Sequence, residues 1–216
     1  MDFQLIIDSI PILLQGAWIT VSVTVLSMAL GLVLGMVAAL GKLSNMAVVR
    51  WLATQYIDII RGTPLLVQLF LIYYGLPQFG ITIEPFPSAV LGLGINTGAY
   101  VAEVIRSGIQ AVDKGQREAA SALGLSPAQT MRLIILPQAF KIIIPPLGNQ
   151  FIMLIKDSSL VSTITLVELT RTAQRIISTT YKPIELYIAA AAMYYIISLL
   201  ATKLLNKLER KVRASE

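Results

Sequence analysis

A chain of 216 residues, 56% hydrophobic and only 13% charged, is far more apolar than soluble domains, which run at roughly 45–50% apolar and about 25% charged; it reads as one membrane-embedded domain. A net charge of +5 would suggest a nucleic-acid partner in a soluble protein, but here Lys and Arg sit at the edges of apolar runs, where cytoplasmic loops hold them. Cysteine and histidine are both absent, which excludes disulfide frameworks, thiol nucleophiles, His-based catalysis and the usual zinc sites.

The start, Met1-Asp2-Phe3, has no basic segment, and the first apolar run is longer than a signal-peptide core, so it is expected to be retained. From Ser9 to Gly41 there is no charge, which places a first span at about 16–40, since about 20 residues cross the hydrocarbon. Its polar stripe of Thr20, Thr24 and Ser27 reads as helix packing, with Thr24 kept as a candidate substrate contact. A second span is expected at about 52–75, kinked at Pro64, with Trp51 and Tyr56 at one interface and Tyr73-Tyr74 at the other. The third falls at about 88–107, the fourth at about 133–155, interrupted by Lys141 and Pro145-Pro146, and the fifth at about 183–205.

Five spans put the termini on opposite sides. Lys42 and Arg50, then Arg106, Lys114, Arg117 and Arg132, then Lys207, Arg210, Lys211 and Arg213 mark three cytoplasmic regions, leaving the amino terminus outside and the carboxyl terminus cytoplasmic. Residues 156–182 carry Lys156, Arg171, Arg175 and Lys182, and their apolar stretch, Leu160 to Val167, is too short to cross; they read as a re-entrant or interfacial hairpin. The expected fold is all-α and polytopic, with five transmembrane helices and a helical cytoplasmic segment at about 113–132 between the third and fourth.

That segment has legible caps. Asp113 with Gln116 starts a helix and Gly124 ends it; Ser126, Pro127 and Gln129 form a second helix start; Leu136-Pro137 marks an end or a kink. Small residues at Ala119, Ala120 and Ala122 would let another surface approach, and Arg117 and Glu118 offer charge-assisted contacts. Without further information this would be a solvated connector. The residues Glu118-Ala119-Ala120, Gly124, Ile134, Leu136 and Pro137, however, fill every defined position of EAA-x3-G-x9-I-x-L-P. That pattern is the EAA motif of ABC importer permeases, and the chain resembles that family. The stretches "IDIIRGTPLLVQLFLIYYGLPQFG", "INTGAYVAEVIRSGIQAVDKGQ" and "LGNQFIMLIKDSSLVSTI" are similar to its polar amino acid branch.

The resemblance implies a type I importer membrane subunit of the bacterial inner membrane, acting as one half of a dimer, homomeric or with a paralogue. It also implies two ATP-binding subunits, which would hold ATP and Mg, and an extracytoplasmic amino acid binding protein. The motif loop would be the coupling helix, with Arg117, Glu118, Ala119, Ala120, Ser121, Leu123 and Gly124 seated against the ATPase. No G-x4-G-K-[ST] loop is present; Gly41-Lys42-Leu43 is the nearest approach and lacks the hydroxyl. The chain is therefore expected to be a permease and not an enzyme, with no cofactor of its own and no nucleic-acid partner.

Polar groups at membrane depth nominate the substrate path. Asn96, Tyr100 and Glu103 follow i, i+4, i+7 on one helix face, with Thr97 adjoining; the plain alternative pairs Glu103 with Arg106 and makes Asn96 a helix contact. Lys156, Asp157 and Ser158 sit at a helix end, either as an interfacial turn or as donors and acceptors for substrate. Arg61 either holds an amino acid carboxylate or neutralises Asp58. Surplus carboxylate favours a cationic side chain such as arginine, lysine or histidine, with glutamine or another polar amino acid as the alternative. An ion-coupled carrier or channel would use Glu103 and Asp157 as ion sites, but it leaves the motif unexplained.

Overall fold

The computed structural model describes residues 2–213, with side chains to Lys211; Met1 and the Arg213 side chain, both used above, lie outside them. Regular structure among the described residues is entirely helical. Helix α1 spans Phe3–Lys42, 40 residues, or about 60 Å at 1.5 Å per residue and about twice the hydrocarbon thickness. It begins well ahead of residue 16 because hydropathy locates a bilayer and not a helix start. Asp2 caps its first turn by accepting from the Leu5 amide at 3.1 Å, and Pro11 is carried inside it.

Helix α2 (Ala47–Gly62) ends where Thr63 and Pro64 turn extended. Helix α3 (Leu65–Phe70), a π turn (Leu71–Gly75) and a 3-10 turn (Leu76–Phe79) follow. The two halves meet at 106°, so the expected kink at Pro64 is a full break. Pro64 supplies no N–H to continue α2, and it drives Thr63 out of the helical region. By length and composition, four helices of the described residues can cross a membrane, and this bent pair makes a fifth when counted as one span.

Helix α4 covers Pro85–Gln110 and α5 Lys114–Ala122. Helix α6 (Pro127–Thr130), a π turn (Met131–Ile135) and α7 (Leu136–Asp157) then run on from one another, with Pro145 and Pro146 inside α7. The fourth expected span is thus uninterrupted, and Leu136-Pro137 neither ends nor breaks it. Both π turns lie just before a Leu-Pro pair: the Leu76 amide reaches the Leu71 carbonyl, and the Leu136 amide reaches that of Met131. The wider turn makes room for a pyrrolidine ring that would otherwise strike the carbonyl four residues back. A 3-10 stretch (Ser158–Ile164), α8 (Leu169–Thr180) and α9 (Pro183–Arg213) complete the chain.

The core forms three clusters stacked along α1. Ala38 and Ala39 pack with Ile57, Ala102 and Ala139; Val23 and Met28 pack with Leu69, Leu93 and Leu154; Leu13 and Ala17 pack with Leu169 and Leu186. Helix α1 packs chiefly on α4, at glycine-limited distance: a Cβ on Gly35 would lie 2.5 Å from Val101 Cγ1 and 2.9 Å from the Gly98 carbonyl oxygen. The outer faces of α2 and α9 expose Val48, Trp51, Ile188 and Leu200, apolar surface suited to lipid.

Candidate functional site

A cavity of about 390 Å³ lies between α2, α4 and α7, bordered by Arg61, Tyr100, Glu103, Ser107, Pro146 and Gln150. Glu103 is its electrostatic centre. Lys42 Nζ, at the end of α1, donates to Glu103 Oε1 at 2.6 Å, and Arg106 donates from Nε and Nη2 at 3.1 and 2.7 Å to Oε2. The expected Glu103–Arg106 pair therefore forms, within a larger cluster. Arg61 Nη1 stands off at 3.9 Å, and its guanidinium lies over the Tyr100 ring at 5.4 Å. Its side chain is 42% exposed against 15% for Glu103, and none of its N–H groups makes a hydrogen bond among the described residues. Asp58, its other expected partner, forms no ion pair with it and faces outward from α2.

The expected polar face of α4 divides. Tyr100 and Glu103 reach the cavity, whereas Asn96 turns to α3 and donates to Gln68 Oε1 at 3.0 Å. Gln68 Nε2 in turn donates to the Ile60 carbonyl at 2.8 Å, to the Thr63 carbonyl at 3.1 Å and to Thr63 Oγ1 at 2.9 Å. Thr97 is fully buried against Gly31, its hydroxyl without a hydrogen-bond partner among the described residues. Thr24 is also fully buried and donates to the Thr20 carbonyl at 2.7 Å, the packing role expected of that stripe. Tyr56 donates to the Ile95 carbonyl at 2.7 Å. Tyr73 bonds Thr165 Oγ1 and Tyr74 donates to the Thr163 carbonyl, both at 3.0 Å; these three tyrosines join elements.

The second constellation diverges. Lys156 borders a groove of about 510 Å³ between α7 and α9 with Ser159, Tyr194, Tyr195 and Ser198. Ser158 is buried and donates to the Ile155 carbonyl at 2.7 Å, and Asp157 is half-buried between them. Residues 156–182 hold a carboxylate that sequence reading passed over. Glu168 is fully buried and caps α8. Its Oε1 accepts from the Arg171 amide at 2.8 Å. Its Oε2 accepts from the Thr170 amide at 2.9 Å, Tyr194 Oη at 2.6 Å and Thr20 Oγ1 at 3.3 Å. Gln68 and Gln150 were detectable as amides inside apolar runs. Lys42 was not, since its partner lies 61 residues away.

At the end of the molecule that holds Lys42, α5 stands as a separate short helix. Asp113 accepts from the Gly115 amide at 2.7 Å; the expected box with Gln116 is not made, because Gln116 accepts from Gln138 Nε2 at 3.1 Å. The helix closes on Gly124, whose φ of +77° suits a residue without Cβ. Its amide bonds the Ser121 carbonyl at 3.0 Å, and the Leu125 amide bonds the Ala120 carbonyl at 3.1 Å, the paired bonds of a Schellman end. Ser126 and Gln129 form the reciprocal capping box. Ala120 is buried, while Glu118, Ala119, Ser121 and Gly124 are exposed and Leu123 is 81% exposed. Arg117 donates to the Ile109 carbonyl at 3.3 Å and borders, with Lys114 and Glu118, a hollow of about 520 Å³.

Residues 31–214 match the family model described as "Binding-protein-dependent transport system inner membrane component". The L-cystine transport system permease protein TcyB of Bacillus subtilis (strain 168) is 45% identical over 94% of this chain and 87% of its own length. The arginine transport system permease protein ArtQ of the same organism is 42% identical over 100% and 99%. The glutamine transport system permease protein GlnP of Escherichia coli (strain K12) is 42% identical over 98% of each. A crystal structure of an amino acid ABC transporter with histidines superposes with a TM-score of 0.95 at 47% identity, covering 98% of this chain and 99% of that one. The methionine transporter MetNI shares the fold at a TM-score of 0.77 and 20% identity, over 93% and 96%. With its EAA helix, its Leu-Pro turn and its all-helical membrane architecture, the chain belongs to the binding-protein-dependent inner membrane components, as a type I ABC importer permease for polar amino acids.

Proposed function

We propose that this chain forms half of the membrane pathway of an ATP-driven amino acid importer and receives its drive through α5. The observation that carries the reading is the exposed, doubly capped helix at Lys114–Ala122, which buries a single alanine and ends on an exposed leucine, in a chain with no phosphate-binding loop. ATP and Mg then belong to two partner ATPase subunits, whose closure moves α5 as a rigid body. A second permease chain, identical or a paralogue, completes the pathway. An extracytoplasmic binding protein delivers substrate at the end opposite α5. The basic loops favour the bacterial inner membrane with the amino terminus outside and the carboxyl terminus cytoplasmic.

The substrate is read from Arg61. A guanidinium with unused donors, at the wall of a cavity that also holds Tyr100 and Gln150, suits the carboxylate common to all amino acids. It thereby accommodates relatives named for cystine, arginine and glutamine alike. A preference for a cationic side chain rests on Asp157, because Glu103 is already engaged by Lys42 and Arg106. An ion-coupled carrier or channel accounts for neither α5 nor the match over residues 31–214. In the assembled complex, Glu118→Arg is expected to abolish import while the complex still forms; unchanged import would refute the coupling role. A screen of amino acids for stimulation of ATP hydrolysis, with the binding protein present, identifies the substrate.

A further inference from the structure

The break between α2 and α3 leaves the last carbonyls of α2 without donors from a following turn of the same helix. Two side chains answer for three of these groups. Thr63 Oγ1 donates to the Ile59 carbonyl at 2.8 Å. Gln68 Nε2 serves the carbonyls of Ile60 and Thr63 and also donates to Thr63 Oγ1. With its amino group surrounded by these oxygens, Gln68 presents Oε1 to Asn96 on α4. One buried carboxamide thus links the end of α2, the start of α3 and α4, the helix that carries Tyr100 and Glu103 to the cavity. Arg61 lies between two of the clamped residues, Ile60 and Thr63.

We propose that Gln68 is a positioning residue for transport. By this reading its carboxamide fixes the 106° elbow and, through Asn96, locks that elbow to α4, so that Arg61 is presented to the cavity above Tyr100. The inference rests on the importer reading for its transport consequence but not for its geometry. Loss of the amide frees the elbow and lets Arg61 leave the cavity wall. Hydrolysis on the partner then continues with less substrate moved per cycle.

The chain has no cysteine, so spin labels can be introduced cleanly. Leu52 on α2 and Phe79 beyond α3 are 55% and 81% exposed. The pair Leu52→Cys and Phe79→Cys, in a labelled chain co-assembled with excess unlabelled chain, reports the elbow by electron–electron distance measurement. The expected result is a single narrow distance that broadens in Gln68→Leu. Amino acid imported per ATP hydrolysed should fall about tenfold or more, tenfold being the factor carried by one hydrogen bond of ordinary net strength and Gln68→Leu removing several. Asn96→Leu is expected to act in the same direction but more weakly, and the double variant to be no worse than Gln68→Leu alone, as for partners in one network. A distance distribution unchanged by Gln68→Leu, or additive effects of the two changes, overturns the proposal. If Gln68→Leu does not assemble, Asn96→Leu decides: it spares the three clamp bonds, and an unaltered distribution there also overturns the proposal. The labels report the elbow whether or not the complex imports amino acids, so failure of the importer reading is seen separately.

Discussion

Glu168 offers a graded test because its two oxygens are unequally used. Oε1 accepts one hydrogen bond, from the Arg171 amide, and Oε2 accepts three, from the Thr170 amide, Tyr194 and Thr20. In Glu168→Gln the amide can turn its oxygen toward the three donors and place its amino group by Arg171, losing one bond at about 1–1.5 kcal/mol. In Glu168→Ala all four are lost, the cap of α8 included, at a cost of about 4 kcal/mol. For a chain of this size each kcal/mol is worth about 2–4 °C. Thermal unfolding of the purified complex, followed by tryptophan fluorescence, should therefore drop by about 2–6 °C for Glu168→Gln and about 8–16 °C for Glu168→Ala. Tyr194→Phe, which loses the bond to Glu168 and the 3.0 Å bond to Thr170 Oγ1, should fall between the two. Equal shifts for Gln and Ala, or a shift below about 2 °C for Ala, would show that α8 is held by packing with Leu169 and Ala173 and not by its cap.

Gly35→Ala should destabilise by about 1–3 kcal/mol through overpacking, because its Cβ has no room beside Val101 and the Gly98 carbonyl, whereas Gly62→Ala, which meets nothing within 4 Å, should leave the unfolding temperature nearly unchanged. Arg61→Lys should raise the amino acid concentration for half-maximal import or for stimulated ATP hydrolysis, since an ammonium cannot give the planar two-donor contact; an unchanged value removes Arg61 from the pathway. Asp2 and Lys182 pair at 2.5 Å, and the contact holds the Asp2 carboxyl below its usual range and the Lys182 ammonium above its own. The lowered acid contributes stability above its ordinary pKa and loses it as pH falls through the folded value; the raised base contributes below its ordinary pKa and loses it as pH rises. Protection against hydrogen exchange in the first turn of α1, taken relative to the intrinsic rate at each pH, should accordingly be greatest between those limits and fall on acidification. Lys182→Met should remove that acid-side change, and identical profiles would dismiss the pair as a tether.

Local chemistry was readable in the sequence and long-range partnership was not. Gly124 and the Ser126–Gln129 box were identifiable because a cap is made within a few residues. The break at Pro64 was visible only as a disturbance. Whether such a proline bends a helix or ends it depends on who receives the freed carbonyls, and the answer is Gln68, steadied by Asn96 28 residues further on. Helical periodicity put Asn96 and Glu103 on one side of α4. Their rise of about 10 Å along the axis places them beside different neighbours, α3 for one and the ends of α1 and α2 for the other. Glu103 looked like surplus negative charge because Lys42, which engages it alongside the neighbouring Arg106, ends a helix that folds back from 61 residues earlier.

The closeness of α1 to α4 has a mechanical consequence. Where Gly35 faces Val101 and the Gly98 backbone, no flexible side chain lies between the two rods to act as a bearing. Sliding one past the other would drive Val101 into the main chain of α1. The Lys42–Glu103 bond at 2.6 Å pins the same pair further along. The two helices therefore form a strut with almost no internal freedom, and any alternation of access has to carry it as one piece, with the bending left to the joints around it.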